Sequence, residues 1–152
     1  MDSEQLLLSD NSTWSTGIAE YFSDFEYDGF SLLVAIQFSF GKDNPPALGL
    51  LDTASTWVVF SKKIIEDFNI QIDEDFAIKE KINTPRFGLI DGYLHRLPLK
   101  IIAETGKSLF IDATCFISDQ WQGPPVIGWK GCLERIKFAL DSSIDRFYFS
   151  GW

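Results

Sequence analysis

The sequence predicts an all-β fold, and three of its features point to that class. Aromatic residues make up 15% of the 152 residues, with 14 phenylalanines and 5 tryptophans, and aromatic side chains fit the half-buried surface of a pleated strand. Apolar residues recur in many short runs, several of which alternate with polar residues in the period of two typical of strands. Clusters of Gly, Pro, Asn and Asp separate these runs. Together they predict a β-rich barrel-like or sandwich domain with at most two short helices.

Composition limits the number of domains and the kinds of partner. A chain of 152 residues with 45% hydrophobic residues forms one domain of ordinary size with its own core. The formal net charge is −9 and no basic stripe is visible, so we expect no nucleic-acid partner. The N-terminus lacks the cationic start and long apolar segment of a signal peptide. No apolar run is long enough to cross a bilayer, so we expect a cytoplasmic protein without a membrane partner.

The first part of the chain predicts a leader followed by a hairpin. Residues 1–28 are acidic with scattered aromatics and are predicted to be a leader whose aromatic side chains pack onto a domain formed by residues 29–152. Alternation over 31–40 predicts a strand. A turn containing Gly and Pro follows it, and residues 47–51 then form the second strand of a β-hairpin. This hairpin places Asp52 at its far end.

The middle of the chain predicts a third strand and a short helix. Residues 57–60 are an apolar run. Ser61 is a suitable N-cap for a helix over 62–68, which Asn69 is suited to close. The acidic, polar segment 71–81 is predicted to be a connecting loop.

The C-terminal half predicts further strands joined by tight turns. These strands are expected over residues 87–90, 93–104, 108–118, 136–140 and 146–149. Pro98 indicates an edge strand or an interruption at that point. The segment 105–107 predicts a tight turn, and a short helix is expected to end near Glu134.

The inventory of side chains excludes several kinds of chemistry. Cys115 and Cys132 lack metal-ligand spacing and His95 is the only histidine, so no zinc set is expected. An even number of cysteines permits a disulfide, but we expect two reduced, buried thiols. A catalytic triad of the serine or cysteine kind needs a histidine as its base. His95 lies in an alternating run that is typical of a strand surface, so we expect no such triad. Residues 106–108 resemble the end of a phosphate-binding P-loop, but Ile101 stands where that motif needs its earlier glycine. A pair of catalytic carboxylates, as in a glycosidase, stays possible, because 22 acidic residues offer many accidental pairs and their spacing singles out none.

Asp52 is the strongest candidate for a functional residue. It lies in a turn between two apolar runs, where a carboxylate becomes partly buried and its charge is costly. Thr53, Ala54 and Ser55 complete the turn. Taken alone, the residue equally fits an aspartate that caps backbone N–H groups of a β-turn.

The order of segments around Asp52 resembles that of retropepsin-like aspartic peptidases, single-domain relatives of the two-lobed enzymes, and is most similar to bacterial members. The segment Leu50-Leu51-Asp52-Thr53-Ala54-Ser55 resembles their Asp-Thr-Gly turn, with Ala54 in the place of glycine. The place of their flap hairpin is taken by Thr84, Pro85, Arg86, Phe87 and Gly88. The family's apolar-apolar-Gly segment, which precedes a helix, is matched by Val126, Ile127 and Gly128.

The resemblance implies a homodimeric endopeptidase with a barrel fold that acts on peptide or protein and needs no cofactor or metal. Two Asp52 carboxylates, one from each copy, would hold a water and share one proton, because close like charges cannot both ionise. The flap would close over the peptide, and residues 126–128 would pass beneath the turn. By the same resemblance, the Thr53 hydroxyl would bind backbone across the dimer axis, and Ser55 would hydrogen-bond the outer oxygen of Asp52.

Ala54 leaves two functions open. Alanine keeps the N–H that the family's glycine directs at the carboxylate, but it adds a methyl group beside the water and disfavours positive φ. An ordinary backbone at Ala54 predicts little penalty, whereas a positive φ predicts strain of about 1 kcal/mol or more. The alternative to the peptidase is a catalytically inactive module of the same fold that binds a peptide or a protein partner.

Overall fold

Strands dominate the computed structural model, which describes residues 5–41 and 44–151, and the predicted all-β class is confirmed. The strands are β1 (Gly17–Glu20), β2 (Phe25–Tyr27), β3 (Phe30–Leu32), β4 (Ala35–Phe40), β5 (Ala47–Leu51), β6 (Val58–Ser61), β7 (Ile78–Thr84), β8 (Gly88–Ile101), β9 (Thr105–Gly106), β10 (Leu109–Ser118), β11 (Val126–Ile127), β12 (Ile136–Asp141) and β13 (Arg146–Gly151). Among the described residues the helices are α1 (Lys62–Asp67) and two 3-10 turns, Glu74–Phe76 and Leu133–Arg135.

The largest sheet closes on itself. Its strand order is β10-β6-β11-β5-β4-β8-β7, and β8 also pairs with β10. Six strands therefore form a closed ring, from which β7 extends as an outer partner of β8. Closure removes the exposed edges of those six strands. A second sheet has the order β12-β13-β1-β9, and β2 and β3 form a separate hairpin.

The aromatic residues meet inside this barrel. Phe38, Phe40 and Phe60 are each at most 3% exposed. The ring centroid of Phe60 lies 4.9 Å from that of Phe40 and 5.6 Å from that of Phe38. Phe68 follows α1 and adds a fourth ring, 5.4 Å from Phe40. Ring pairs at such distances add to the stabilisation that burial gives. Four of the phenylalanines noted in the sequence thus form the centre of the core.

The predicted short helix is confirmed together with its caps. The Ser61 side chain accepts a hydrogen bond from the backbone N–H of Ile64, at 3.2 Å. Asn69 adopts a positive φ of 53°, the conformation in which a helix end is closed. Local sequence signals were sufficient here because both caps depend on neighbouring residues only.

Two expectations for the following segment are corrected. The predicted loop over 71–81 is wrong at its end, because β7 begins at Ile78 and pairs with β8. Its charged residues mark an outer sheet edge, where lysines discourage further pairing. The two runs predicted over 87–90 and 93–104 form one strand, β8. Pro98 lies between the part of β8 that pairs with β7 and the part that pairs with β4, so one side of β8 lacks a described partner there.

Part of the predicted leader belongs to the folded body. β1 lies within residues 1–28 and pairs with both β13 and β9. Tyr21, which follows β1, is 5% exposed. The boundary predicted after residue 28 falls in the turn of the β2–β3 hairpin, where Asp28 and Gly29 both have positive φ. The pairing of β1 is with strands more than 80 residues away, which local patterns do not reveal.

The two cysteines are free and buried, as expected. Burial raises the pKa of the Cys132 thiol to about 12, with Arg135 acting against that shift. Burial also raises the pKa of Cys115. Both thiols are therefore poor nucleophiles in the folded chain. Within residues 5–41 and 44–151, no helix reaches the length and apolarity that a membrane span requires.

Replacing Phe60 by alanine is expected to lower the free energy of unfolding by about 3–5 kcal/mol, because the change empties the centre of the aromatic core. Phe76→Ala is the matched control, since the Phe76 side chain is 81% exposed and its loss should change stability by only about 0.5 kcal/mol. Urea denaturation followed by circular dichroism measures both. Equal losses in the two variants would contradict this core.

Candidate functional site

The Asp52 turn connects β5 to β6 and is held from below by β11. β11 lies between those two strands, parallel to β5 and antiparallel to β6. The backbone N–H of Asp52 donates to the carbonyl of Ile127 in β11, at 3.0 Å. Val126 pairs with Leu50 on one side and with Val59 on the other. The position of Asp52 is therefore fixed by backbone hydrogen bonds to a segment that lies more than 70 residues later.

The Asp52 side chain is half-buried and is oriented by its own turn. Its Oδ1 accepts a hydrogen bond from the backbone N–H of Ala54, at 2.9 Å, while its carbonyl accepts one from the N–H of Ser55, at 3.2 Å. Thr53 and Ala54 are exposed. This is the aspartate-capped turn considered from the sequence. It uses one carboxylate oxygen and leaves Oδ2 for a further hydrogen bond.

Ala54 fits the turn without a left-handed backbone. Five described non-glycine residues have positive φ, and Ala54 is not among them. The strain considered for an alanine at this position is therefore absent. Its N–H still points at the carboxylate, as the bond to Asp52 shows.

Gly128 lies where no side chain fits. A Cβ atom at this position would stand 2.0 Å from the carbonyl oxygen of Trp57 and 3.0 Å from that of Ser55. Both carbonyls belong to the chain that leads out of the Asp52 turn. The absence of a side chain at Gly128 lets β11 and its continuation lie directly against the turn.

Ser55 serves the turn itself and not the carboxylate. Its hydroxyl donates to the carbonyl of Trp57, at 2.7 Å, and so does not donate to Asp52 as the resemblance implied. The Ser55 carbonyl accepts from the N–H of Trp129, at 2.9 Å. The hydroxyl and the carbonyl of Ser55 therefore both bond to the backbone around the turn.

The predicted flap residues form the closed end of the β7–β8 hairpin. Thr84 pairs with Gly88 across the hairpin. The Thr84 hydroxyl donates to the Gly88 carbonyl, at 2.9 Å, and accepts from the N–H of Phe87, at 3.0 Å. Pro85, Arg86 and Phe87 lie between them, and we call these three residues the flap tip. Its shape is set by Thr84, a residue type able to make both bonds at once.

A mostly buried apolar cluster connects the chain beside the Asp52 turn with the hairpin, and it was not predicted from the sequence. We call it the apolar cluster. Four buried residues form its centre, Val59, Ile90, Phe116 and Val126. Half-buried residues surround them, Trp57, Ile82, Phe87, Leu94 and Trp121. Val126 belongs to β11 and Trp57 follows the turn, whereas Ile82 and Ile90 pair across the hairpin. The signal was available in the two tryptophans and in the apolar positions of β7 and β8, but only the pairing of distant strands brings them together.

A groove of about 1020 Å³ lies beside the hairpin, lined by residues of α1, β7, β8 and the end of β10. Tyr93 and His95 project into it from the opposite side of β8 to Ile90 and Leu94, because side chains alternate along a strand. Burial lowers the pKa of His95, with Glu74 acting against that shift. This groove therefore lies on the other face of β8 from Ile90 and Leu94.

Across the described ranges, His, Cys, Asp and Glu side chains form no group of three or more that could hold a metal ion.

The chain matches no protein-family model, and a search of curated proteins finds no significant match.

Replacing Gly128 by alanine is expected to destabilise the fold by about 3 kcal/mol or more, because the new methyl group would overlap the Trp57 carbonyl. Gly41→Ala is the control. Gly41 has open space around its Cβ position and a φ of +73°, so its replacement should be limited to about 1–2 kcal/mol of backbone strain. Thermal and urea unfolding of both variants measure the difference. A Gly128→Ala chain as stable as Gly41→Ala would show that β11 does not lie against the turn.

Proposed function

We propose that this protein is a retropepsin-like aspartic endopeptidase that hydrolyses peptide bonds as a homodimer, with one Asp52 from each copy. The observation that carries the proposal is the Asp52 turn itself. Its carboxylate is fixed by the Ala54 N–H through one oxygen, its backbone is bonded to β11, and the apolar cluster connects the chain beside it with a closed hairpin. A carboxylate held this way is prepared to orient a water beside an extended peptide.

The exposure of the turn supports a second copy as the source of the other carboxylate. Thr53 and Ala54 are exposed in the single chain. Two exposed apolar residues belong to segments whose backbone is bonded to this part of the chain. Trp129, whose backbone N–H donates to the Ser55 carbonyl, is 42% exposed, and Leu33, which precedes the Val34 carbonyl that accepts from the Leu51 N–H, is 63% exposed. Apolar side chains grouped around an exposed turn favour burial by a partner. A two-fold axis through the turn would bring the same surface of two copies together.

The proposed dimer would carry out hydrolysis with two carboxylates and one water. The two carboxyl groups share one proton, because both cannot be ionised when they lie at hydrogen-bond distance. The ionised carboxylate takes a proton from the water as its oxygen attacks the peptide carbonyl carbon, and the protonated carboxylate donates to the carbonyl oxygen. The C–N bond of the resulting gem-diol breaks as a proton passes to the leaving nitrogen. No covalent enzyme intermediate forms.

The alanine in the turn is compatible with this mechanism. Ala54 keeps the hydrogen bond to Asp52 that a glycine would make, and its backbone has no positive φ. Its methyl group is exposed at the surface where the second copy would dock. The inactive binding module is the alternative that this methyl group leaves open, and it becomes the preferred function if no cleavage is found.

The hairpin and the border of the apolar cluster support a class of substrate. The half-buried side chains of Ile82 and Phe87 border the cluster from the hairpin, and Trp57 borders it from the chain that follows the turn. A peptide lying between them would be extended and would place apolar side chains against these three residues. We therefore expect cleavage within apolar or aromatic stretches.

The test is cleavage of a diverse peptide mixture, read by mass spectrometry from acidic to neutral pH at high protein concentration. Asp52→Asn should abolish cleavage, because an amide cannot take the proton from the water, yet it keeps the oxygen that accepts from Ala54. Asp10→Asn is the matched control, since Asp10 caps its own turn through the N–H of Ser12 at the same distance of 2.9 Å. Its activity should equal that of the natural chain.

Equal cleavage by the natural chain and Asp52→Asn would reject the proposed mechanism. Silence from both would reject the peptidase and favour the binding module. An Ala54→Gly chain then decides how that module arose. Cleavage by that variant alone would identify the natural chain as a peptidase that lost its activity through the alanine.

A further inference from the structure

The β2–β3 hairpin is a small, mostly exposed element that contacts the flap tip. Its two central turn residues, Asp28 and Gly29, have φ of 44° and 82°. Positive φ at both positions is typical of the tight turn that matches the twist of paired strands. All three residues of β2 are exposed, whereas Leu32 at the end of β3 is 1% exposed. The hairpin is thus anchored through Leu32 and projects Phe30 from the other end of β3.

Phe30 meets the flap tip in a cluster of three rings. Its ring centroid lies 6.1 Å from that of Phe87 and 6.5 Å from that of Trp121, while Phe87 and Trp121 are 5.5 Å apart with an interplanar angle of 80°. The Arg86 guanidinium lies over the Phe30 ring, 4.1 Å from its centroid. We call Phe30, Arg86, Phe87 and Trp121 the aromatic clasp. Ring pairs and a cation over a ring both attract at these distances.

Trp121 gives the clasp a fixed side. Its indole Nε1–H donates to the carbonyl of Pro124, at 2.9 Å. Gly123 lies under the ring, where a Cβ would stand 2.5 Å from it. The segment that carries Trp121 leads directly into β11, which holds the Asp52 turn. The flap tip is therefore connected through the clasp to the same segment that positions the carboxylate.

The hairpin is held at its base by a different set of contacts. The Ser118 hydroxyl donates to the carbonyl of Asp91, and the side chain of Gln120 accepts from the Asp91 N–H at 2.6 Å. These bonds fix β8 beside β10 and leave the tip to the clasp. Loss of the clasp would consequently release the tip without detaching the base.

We propose that Phe30 is a positioning residue for the flap tip: it holds the flap against the apolar cluster within a single chain, and the tip opens only when the aromatic clasp separates. The effect on catalysis rests on the proposed function, whereas the effect on the hairpin does not. The β2–β3 hairpin thereby controls access to the Asp52 turn. Phe30 touches no reacting atom, so its contribution is to substrate capture and retention.

Hydrogen exchange of the hairpin amides tests the clasp directly. In Phe30→Ala, the amides of residues 82–90 should exchange about tenfold faster, because two ring contacts and the cation contact are lost. Phe25→Ala is the matched control, since Phe25 lies on the same β2–β3 hairpin but outside the clasp and is 37% exposed. Amides of β12 and β13 should be unchanged in both. Phe30→Tyr, which keeps the ring, should restore slow exchange.

Arg86→Ala provides a second route if Phe30→Ala does not fold, and it should accelerate the same amides by a smaller factor. Exchange at residues 82–90 that is equal in Phe30→Ala and Phe25→Ala would overturn the clasp, whether or not the protein cleaves peptides.

Peptide cleavage tests the catalytic part of the inference. Where the natural chain cleaves peptides, KM should rise several-fold in Phe30→Ala with a smaller change in kcat, because the loss is in holding the substrate. Unchanged kinetics together with faster exchange would overturn the role of Phe30 in catalysis. Absence of cleavage in the natural chain would reject the proposed function and leave the exchange result to decide on the clasp.

Discussion

The site depends on the insertion of β11 between β5 and β6. A two-residue strand bonds to both sides of the Asp52 turn, and this close contact is possible because residue 128 has no Cβ that would meet the Trp57 carbonyl. The backbone of the turn therefore finds its hydrogen-bond partners in β11 and its continuation. The Asp52 side chain is left with a single internal bond, from Ala54. The bonded backbone and the half-buried carboxylate with one free oxygen are two results of the same arrangement.

Barrel closure and the two apolar clusters support this arrangement from different sides. The aromatic core around Phe60 fills the barrel, and the smaller cluster around Val126 lies beneath the hairpin. β6 contributes to both, since Phe60 faces the first cluster and Val59 the second. The alternation of side chains along one four-residue strand thus connects core stability with the position of the candidate site.

The sequence predicted the features that depend on near neighbours and missed those that depend on distant strands. Ser61 caps α1 through a bond three residues away, and the β4–β5 hairpin was predicted from its own alternation. The single strand predicted over 31–40 is wrong at its start, because β3 ends at Leu32 and pairs with β2, and β4 begins at Ala35. β1 and β7 were missed, because β1 is short and pairs with the end of the chain, and β7 is polar as an outer edge. Asp52 and Gly128 could be singled out, but the apolar cluster and the hydrogen bond of Ser55 follow from packing.

Oxidative cross-linking of a Thr53→Cys chain tests most directly whether two Asp52 turns meet in one site. The native thiols are buried and free, with the pKa of Cys132 raised to about 12, so the new cysteine is the reactive one. Disulfides form only between Cα atoms within about 7 Å. We expect a covalent dimer under mild oxidation at micromolar concentration. Glu66→Cys, exposed on α1 at the other end of β6, should stay monomeric. Equal cross-linking of the two chains, or none in either, would contradict the shared site.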